Sequence, residues 1–305
     1  MKTALITGGC GFIGSHIAEA LVKQGVRVII IDNMAAGKME NVRDWWDSSL
    51  CTLHHADVSQ YSAIEQHFLG VDVVFHNAAS KCTVCTQDPV KDLMVNALGT
   101  LNVCQAAYNC GVKKVIHAST GSVNQINSYY GNSKNAGENY LRTFRNYHPG
   151  FNFTALRYHH VYGPRQDWSD KGGVIPIFIR QALTGKPITV FGDGNQVRFF
   201  THVYDVVKAN LFCAENENTD GKTFNLLQDT GFRIGDLAEM VQEMTGRNVG
   251  VERLPEKAGD IRNFVCERTA IEEAGFMFDW PFGRGLMDTI RWYERRLSVA
   301  ERKVA

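Results

Sequence analysis

A tyrosine and a lysine four positions apart are the residues whose spacing points most directly to chemistry. The segment YGNSK places Tyr130 and Lys134 in a YxxxK arrangement, and positions i and i+4 share one face of a helix. Tyrosine is a poor base with an ordinary pKa near ~10, but a neighbouring ammonium and a positive nicotinamide ring favour the phenolate. The pair is therefore predicted to take a proton from an alcohol while hydride leaves the same carbon.

A hydroxyl that completes such a site is expected shortly before the tyrosine. The preceding β-branched run ends His117-Ala118-Ser119-Thr120. Either Thr120 or Ser119 can hydrogen-bond the substrate oxygen and share its proton. The predicted catalytic residues are Tyr130, Lys134, Thr120 and Ser119.

A glycine-rich segment near the first residue has the spacing of a dinucleotide-binding turn. The run Thr3–Thr7 is followed by GGCGFIG, with glycines at every third position, and then by a helical pattern. Glycine permits the tight turn and lets the backbone approach a pyrophosphate, toward which the helix directs N–H groups and its positive dipole end. The predicted cofactor contacts here are Gly8, Gly11, Phe12, Ile13 and Gly14.

Polar or small residues follow the next buried strands. Asp32 closes the second strand, 18 positions after Gly14, where a carboxylate accepts ribose hydroxyls and repels a 2′-phosphate, which favours NAD over NADP. An acid after the third strand suits the adenine amino group, and small residues after the fourth let the cofactor pass closely. The cofactor contacts predicted from these ends are Asp32, Asn33, Asp57, Val58, Asn77, Ala78 and Ala79.

Apolar runs and amphipathic segments alternate through the first half of the chain. Most runs are continuously apolar, which is typical of strands buried on both faces of a parallel sheet. The predicted strands are Thr3–Thr7, Arg27–Asp32, Thr52–Ala56, Val71–Asn77, Lys114–Ser119 and Phe153–Arg157. The predicted helices between them are Phe12–Gln24, Gln60–Phe68, Pro89–Asn109 and Tyr130–Tyr147. This alternation predicts an α/β fold with a doubly wound parallel (Rossmann) sheet.

The pattern loosens after Gly163-Pro164, and a smaller C-terminal α/β substrate lobe is predicted from interleaved segments. Its predicted elements are a helix at Ile175–Thr184, strands at Ile188–Phe191, Val197–Phe199 and Val249–Arg253, and short helices beyond Arg233. A helix at Val203–Ala214 and a strand at Thr223–Leu227 are expected to rejoin the first sheet. The predicted domains are therefore residues 1–165 with about 200–228 for NAD, and about 166–199 with 229–305 for the substrate.

Composition narrows the possible partners. Lys plus Arg and Asp plus Glu both number 32, so no net charge favours binding to nucleic acid or an anionic membrane. No apolar run reaches the roughly 18 residues of a membrane span. The apolar start is broken at once by glycines, which favours a buried strand over a secretion signal and predicts a cytoplasmic protein.

Cysteine usage does not indicate a metal site. The eight cysteines are scattered, and reduced thiols are expected in a chain of this size without a secretion signal. Cys82 and Cys85 form a lone CxxC pair without a second pair or histidines at ligand spacing. No metal is predicted, and the role of this pair stays open.

Several motifs occurring in one order resemble the NAD-dependent epimerase/dehydratase family, the extended short-chain dehydrogenases, and in particular its nucleotide-sugar epimerases. They are GGCGFIGSHIAEAL, HNAASK, VNALGTLNV, YYGNSK, LRYHHVYGPRQ, FGDGNQVRFFTHVYD and AGDIR. The resemblance implies tightly held NAD, a nucleotide-diphosphate sugar bound by the C-terminal lobe, and a homodimer formed through the helices near Pro89–Asn109 and Tyr130–Tyr147.

The resemblance also implies roles for residues that spacing alone does not single out. Lys81 and Asn96 correspond to a lysine and an asparagine near the cofactor, and Lys81 also faces the sugar. Arg198 corresponds to an arginine on the diphosphate and Asp260 to an acid on the nucleoside ribose. The implied substrate contacts are Lys81, Thr120, His160, Arg198, Lys257, Asp260 and Arg262. The alternatives are surface ion pairs, and for His160 a packed histidine.

Two departures from the family pattern bear on the reaction. Tyr130 follows Thr120 by only ten positions, where relatives carry a longer loop over the sugar. No Asp or Glu lies between them, although the family's dehydratases carry an acid pair there; the extra Glu and Arg of its decarboxylases cannot be placed either. The favoured reaction is 4-epimerisation through a transient 4-keto sugar. A 4-dehydrogenase or 4-ketoreductase, and a non-catalytic NAD-sensing protein, remain alternatives.

Overall fold

The computed structural model describes residues 1–81, 85–125, 127–228, 230–256 and 271–302. The chain divides into two compact units. Unit 1 comprises Met1–Tyr158, Val206–Leu226 and residues 271–277, and unit 2 comprises His159–Asp205 with the described residues of 227–256 and 278–302. This division does not test which unit binds which ligand, so the predicted ligand of each unit stays a prediction.

Unit 1 is built on a seven-stranded sheet in which every neighbouring pair is parallel. Its strands are β1 (Thr3–Thr7), β2 (Arg27–Asp32), β3 (Cys51–His55), β4 (Val73–His76), β5 (Lys114–Thr120), β6 (Phe153–Tyr158) and β11 (Thr223–Leu226). The central strands are buried along nearly their whole length, as continuous apolar runs predict. The predicted α/β fold with a doubly wound parallel sheet is confirmed.

The order of the strands, β11-β6-β5-β4-β1-β2-β3, reverses direction between β1 and β4. Ligands of open parallel sheets bind at the carboxyl ends of the strands on either side of such a reversal. Here those ends lead into Gly8 after β1 and Asn77 after β4. The topology therefore brings the glycine-rich turn and the small-residue segment to one crevice.

Helices cover the sheet of unit 1 between successive strands. They are α1 (Phe12–Lys23), the short α2 (Tyr61–Ile64), α3 (Pro89–Leu93), α4 (Gly99–Asn109), α5 (Tyr129–Tyr147) and most of α7 (Val203–Glu215). The segment predicted as one helix over Pro89–Asn109 is interrupted between α3 and α4 by a π-helical stretch at Met94–Leu98. Stretches of this kind are common at functional sites, and this one contains Asn96.

Unit 2 has three two-stranded sheets around its own apolar core. Strand β7 (Val161–Tyr162) pairs with β10 (Thr201–His202), β8 (Ile188–Phe191) with β13 (Val251–Leu254), and β9 (Val197–Phe199) with β12 (Gly231–Arg233). Its helices are α6 (Val174–Leu183), α8 (Ile234–Thr245) and α9 (Phe282–Arg302).

The prediction of only short helices beyond Arg233 was wrong. Helix α8 has 12 residues and α9 has 21. Two glycines near the start of α9 obscure its periodicity, yet one of them is required by packing, because a Cβ on Gly285 would overlap the hydroxyl of Tyr162. Phe282, Leu286 and Ile290 lie four positions apart on α9 and are buried.

Neither a membrane-spanning helix nor a candidate metal site occurs in the part of the chain that the structure describes. Among the helices of the described ranges, none combines the length and the apolar character needed to cross a membrane. The same ranges contain no group of three or more His, Cys, Asp or Glu side chains placed to hold a metal ion. Cys85 is buried, and Cys82 lies outside the described residues.

Candidate active site

The glycine-rich turn after β1 leaves room only for glycine at two positions. Gly8 has φ of 69°, and a Cβ there would lie 2.8 Å from the backbone nitrogen of Ala78. A Cβ on Gly14 would overlap the carbonyl oxygen of Gly8. Gly11 is the N-cap of α1 and provides no side-chain acceptor, so the first-turn N–H groups at Phe12 are left for a ligand. The turn fits a pyrophosphate.

The carboxylate that ends β2 is fixed by two backbone donors. Asp32 is buried; one of its oxygens accepts from the N–H of Cys10 at 2.9 Å and the other from the N–H of Met34 at 2.8 Å. Burial raises the pKa of Asp32, and these two hydrogen bonds oppose the rise. Each carboxylate oxygen can accept more than one hydrogen bond, so the group remains suited to ribose hydroxyls.

Asp57, which follows β3, is linked by a hydrogen bond to Asn33, the residue after Asp32. Asn33 donates from its amide to Asp57 at 2.7 Å, and Asp57 also accepts from the backbone and hydroxyl of Ser59. Burial raises the pKa of Asp57, but these hydrogen bonds outweigh it and bring the value below the ordinary one. The next residue, Val58, is buried, and its carbonyl accepts a hydrogen bond from the Asn102 side chain. Asp32 and Asp57, the two carboxylates predicted to contact the adenosine, are thus held in place by hydrogen bonds from neighbouring residues.

The segment after β4 has an amide that the protein leaves unpaired. Both polar side-chain atoms of Asn77 are buried and have no protein partner. Buried polar atoms are nearly always hydrogen-bonded, so this amide marks a place where a polar ligand fits. The Ala78 N–H donates to Thr7 and Ala79 is exposed. Together with the glycine-rich turn, this unpaired amide shows that the residues present fit a dinucleotide.

Asn96 joins this segment to the helix of the YxxxK motif. Its amide oxygen accepts from the Ser80 N–H at 2.9 Å, and its nitrogen lies 3.0 Å from both Asp92 and the Ser133 hydroxyl. Asn96 is fully buried. The structure therefore gives Asn96 a part in positioning the segment after β4 against α5, and it does not test the predicted contact with the cofactor.

Helix α5 carries Tyr130 in its first turn and Lys134 one turn later. Ser128 caps the helix by accepting from the Gly131 N–H. Tyr130 is half-buried, whereas Lys134 is only 1% exposed. Burial lowers the pKa of Lys134 from 10.5 to about 8, and the charges of Glu138 and Asp92 oppose this. The lysine is therefore a buried cation on the helix of the tyrosine.

The two predicted hydroxyls at the end of β5 differ in their surroundings. Thr120 is half-buried and its oxygen accepts from the Ser122 N–H at 3.2 Å, which leaves its proton available to a substrate. Ser119 is buried and donates to Glu138 at 2.6 Å. That hydroxyl proton is engaged with Glu138, so Ser119 also links β5 to α5. The catalytic role predicted for Thr120 and Ser119 stays a prediction.

Glu138 is a buried acid with three side-chain partners, and the sequence analysis did not identify it. It is fully buried and forms ion pairs with Arg142 and Arg157, both at 2.7 Å. Burial raises its pKa, but the hydrogen bonds and charges of Arg157, Ser119 and Arg142 outweigh this and hold it below the ordinary value. Glu138 lies four positions after Lys134, a spacing that could have indicated an interaction between the two side chains. Acid–lysine pairs at this spacing are usually found on the exposed face of a helix, so the spacing did not indicate a buried acid.

Of the predicted substrate contacts, the structure describes four. Lys81 is exposed, and Thr120 lies at the end of β5. In unit 2, Arg198 lies on β9 and donates to the Val197 carbonyl at 2.8 Å. His160, also in unit 2, is exposed and has a φ of 36°, an uncommon value for a side chain of this size. Lys257, Asp260 and Arg262 lie outside the described residues.

Comparisons with known proteins agree with this geometry. The model of the NAD dependent epimerase/dehydratase family matches residues 4–226. A UDP-N-acetyl-alpha-D-glucosaminuronate decarboxylase of Bacillus cytotoxicus is 33% identical, with 96% of this chain and 98% of that protein covered. A UDP-glucose 4-epimerase of Mycolicibacterium smegmatis is 29% identical, with 97% and 99% covered. The crystal structure of UDP-glucose 4-epimerase with UDP-glucose from Thermotoga maritima is similar, with a TM-score of 0.90, 31% identity, and 97% and 99% covered.

Proposed function

Because the chain belongs to the NAD dependent epimerase/dehydratase family, whose cofactor is NAD, we propose that it is a nucleotide-sugar 4-epimerase. Its relatives include epimerases and decarboxylases acting on UDP-sugars, so family membership alone leaves the reaction open. The observation that carries the proposal is the active-site segment itself. It offers a half-buried tyrosine, a buried lysine and a threonine hydroxyl, with no carboxylic acid between Thr120 and Tyr130.

The chemistry of these side chains suits reversible oxidation of a secondary alcohol. Bound NAD supplies a reversible acceptor for the hydride at the sugar C4. Tyr130 takes the proton of the C4 hydroxyl and later returns it. The ammonium of Lys134 favours the phenolate through its charge. The hydroxyl of Thr120 hydrogen-bonds the same sugar oxygen and holds it toward Tyr130.

The missing acid argues against dehydration, one of the other reactions of the family. Loss of water from a sugar needs a group that protonates the departing hydroxyl, and the residues from Gly121 to Tyr129 include no Asp or Glu. Epimerisation needs no such group, because the hydride and the proton both return to the sugar. A 4-dehydrogenase or 4-ketoreductase uses the same residues and differs only in releasing or consuming the keto sugar.

Recognition of the nucleotide diphosphate is assigned to basic residues of unit 2. Arg198, on β9, is proposed for the diphosphate because a guanidinium can donate two parallel hydrogen bonds to phosphate oxygens. His160 is proposed as a further polar contact, supported by its unusual backbone angle. Lys257, Asp260 and Arg262 keep their proposed roles from the resemblance.

Incubation with nucleotide sugars tests the proposal directly. The purified protein, without added NAD, is mixed with UDP-, GDP-, CDP- and dTDP-sugars, and the products are identified by NMR. We expect interconversion of one pair of C4 epimers, loss of that activity in Tyr130→Phe by a factor of at least about 10³, and retention in Tyr129→Phe. Tyr129 is a matched control because it is the adjacent tyrosine of α5 and is 57% exposed.

Other products identify the competing reactions. Accumulation of a keto sugar together with NADH indicates a dehydrogenase, and release of carbon dioxide from a uronic acid sugar indicates a decarboxylase. A Tyr130→Phe protein as active as the wild type contradicts the assignment of the base. NAD binding without turnover of any sugar favours the NAD-sensing alternative.

A further inference from the structure

His76, the last residue of β4, takes no part in the steps proposed above, and it is 0% exposed. Its Nδ1 lies 2.7 Å from the hydroxyl oxygen of Thr7, the paired residue on β1. Its Nε2 lies 3.1 Å from the hydroxyl oxygen of Thr100, near the start of α4. The imidazole therefore connects β4, β1 and α4, and Thr7 directly precedes the glycine-rich turn.

The partners of the two threonines determine which ring nitrogen carries the proton. The hydroxyl of Thr100 lies 2.7 Å from the carbonyl oxygen of Asn96. A carbonyl oxygen cannot donate, so Thr100 gives its only proton to Asn96 and can only accept from His76. Nε2 of His76 therefore carries a hydrogen. A neutral imidazole has one N–H, so Nδ1 is the acceptor and the hydroxyl of Thr7 donates to it.

The surroundings keep this ring neutral and away from solvent. Burial, with the charge of Lys134 as the second cause, lowers the pKa of His76 to about 3. The two threonines and Asn96 are also 0% exposed. Helix α5 packs against them, because a Cβ on Gly137 would lie 3.0 Å from the carbonyl oxygen of Asn96 and 3.1 Å from the hydroxyl oxygen of Thr100. A hydrogen bond lost here leaves a buried polar group without a partner.

The two ends of this chain of hydrogen bonds hold the segment that follows β4. At one end, the hydroxyl oxygen of Thr7 accepts from the N–H of Ala78 at 3.2 Å. At the other end, the side-chain oxygen of Asn96 accepts from the N–H of Ser80 at 2.9 Å. Hydrogen bonds in a chain polarise and strengthen one another, so the bond from Thr7 to His76 strengthens the bond that Thr7 receives. Residues 78–80 are thus held at both ends.

We propose that His76 is a positioning residue for NAD. In its Nε2–H form it connects Thr7 to Thr100 and so fixes the end of β4 and the segment after it. The next residue is Asn77, whose amide atoms are buried and have no partner among the described residues. An amide that is already oriented binds a ligand without the entropic cost of ordering it. The proposal rests on the predicted contact of residues 77–79 with NAD, and it is independent of the sugar reaction.

Replacement of His76 by phenylalanine tests the proposal, because it keeps a ring in the same space and removes both nitrogens. We expect His76→Phe to bind NAD at least about tenfold more weakly than the wild type. The affinity is measured by calorimetry without any sugar, and the stability of the NAD-free proteins is measured by urea unfolding. A residue that only supports the fold changes stability and leaves the affinity of the folded protein intact. Loss of stability with wild-type NAD affinity would therefore overturn the proposal.

His117 provides a matched control on the neighbouring strand. It is the directly paired residue on β5, is also 0% exposed, and has its ring centroid 5.3 Å from that of His76. Neither of its ring nitrogens has a hydrogen-bond partner among the described residues. His117→Phe removes a buried imidazole without breaking the chain, so it should keep the wild-type affinity for NAD. An equal loss of affinity in both variants would overturn the proposal.

A second measurement uses the wild-type side chain and covers the case in which His76→Phe does not fold. In ¹⁵N-histidine-labelled protein, NMR distinguishes the protonated from the unprotonated ring nitrogen. The signals of His76 are assigned through nuclear Overhauser effects to the methyl groups of Thr7 and Thr100. We expect a neutral ring with its proton on Nε2 at neutral pH. A proton on Nδ1 would reverse the bond to Thr7 and overturn the proposal.

Thr100→Val tests whether the far end of the chain matters for the cofactor. Valine has nearly the shape of threonine but cannot accept the proton of His76, and the substitution leaves Thr7 and Ala78 unchanged. We expect NAD affinity to fall, as it does in His76→Phe, and an affinity equal to that of the wild type would overturn the proposal. None of these measurements uses a sugar, so their failure is distinguishable from failure of the sugar panel that tests the proposed function.

Discussion

The buried ammonium of Lys134 should make stability depend on pH in a recognisable direction. Burial lowers its folded-state pKa from 10.5 to about 8. Between these values the unfolded chain binds the proton that the folded chain has lost, so the unfolding free energy rises with pH across this window. Below about pH 8 both states are protonated, and the folded state bears the full cost of the buried charge.

The first prediction follows from this rise of the unfolding free energy with pH. Lys134→Met removes the charge, so the variant should gain stability relative to the wild type, and the gain should be larger near pH 7 than near about pH 9.5. Urea unfolding of both proteins at the two pH values, with equal NAD content, measures the difference. Lys113→Met is the control, because the Lys113 side chain is 76% exposed and its effect should not change with pH. A gain for Lys134→Met that is the same at both pH values would contradict the assignment.

The chemistry-bearing side chains were predictable from sequence because they follow strand ends or lie one helical turn apart. Tyr130, Lys134 and Thr120 were identified in this way. The connection between Ser119 and Glu138 was not, because it depends on how β5 and α5 pack against each other. The unpaired nitrogens of His117 could not be predicted either, since a histidine within an apolar run says nothing about its partners.

At the scale of elements, the glycine-rich turn should be the part least tolerant of an added methyl group. A Cβ on Gly14 would overlap the Gly8 carbonyl oxygen, which is backbone and cannot rotate away. The first turn of α1 and the turn before it would have to separate. These two parts present the N–H groups that a pyrophosphate needs.

The second prediction is that Gly14→Ala loses NAD. We expect at least about a tenfold loss of affinity, which corresponds to ~1.4 kcal/mol, together with a destabilisation of roughly 1–3 kcal/mol from overpacking. NAD retained through gel filtration is released with acid and quantified, and its affinity is measured by calorimetry. Gly283→Ala is the control, since no atom lies within 4 Å of its Cβ position. Equal NAD retention in Gly14→Ala and the wild type would show that the turn is not the binding element.

Strand positions were predicted well because burial on both faces leaves an unbroken apolar run. The predicted strands Thr3–Thr7 and Arg27–Asp32 have the same bounds as β1 and β2, which are buried along nearly their whole length. The predicted Thr52–Ala56 differs by one residue at each end from β3, which is more exposed. The break in the Pro89–Asn109 helix was not predicted. A π-helical stretch closes its hydrogen bonds over five residues instead of four, and the sequence of Met94–Leu98 gave no sign of it.

At the scale of the whole molecule, exposed apolar side chains on unit 1 support the homodimer that the family resemblance implies. Val90, Leu93 and Met94 are exposed on α3 and the turn after it, and Tyr140 and Tyr147 are exposed on α5. Helix α5 packs beside α3 and α4, so these side chains belong to adjoining helices. Clustered exposed apolar groups commonly mark interfaces, and we propose that a second copy of the chain covers them.

The third prediction tests that interface by a single charge. Leu93 is 54% exposed, and in a two-fold interface each substitution occurs twice in the same surface. Leu93→Glu should therefore bury two carboxylates that lack partners, and the variant should be a monomer where the wild type is a dimer. Sedimentation velocity at micromolar concentrations measures this. Leu69→Glu is the matched control, because Leu69 is 72% exposed and lies outside these helices. A monomeric wild type, or a Leu93→Glu protein that remains a dimer, would show that these helices do not form the interface.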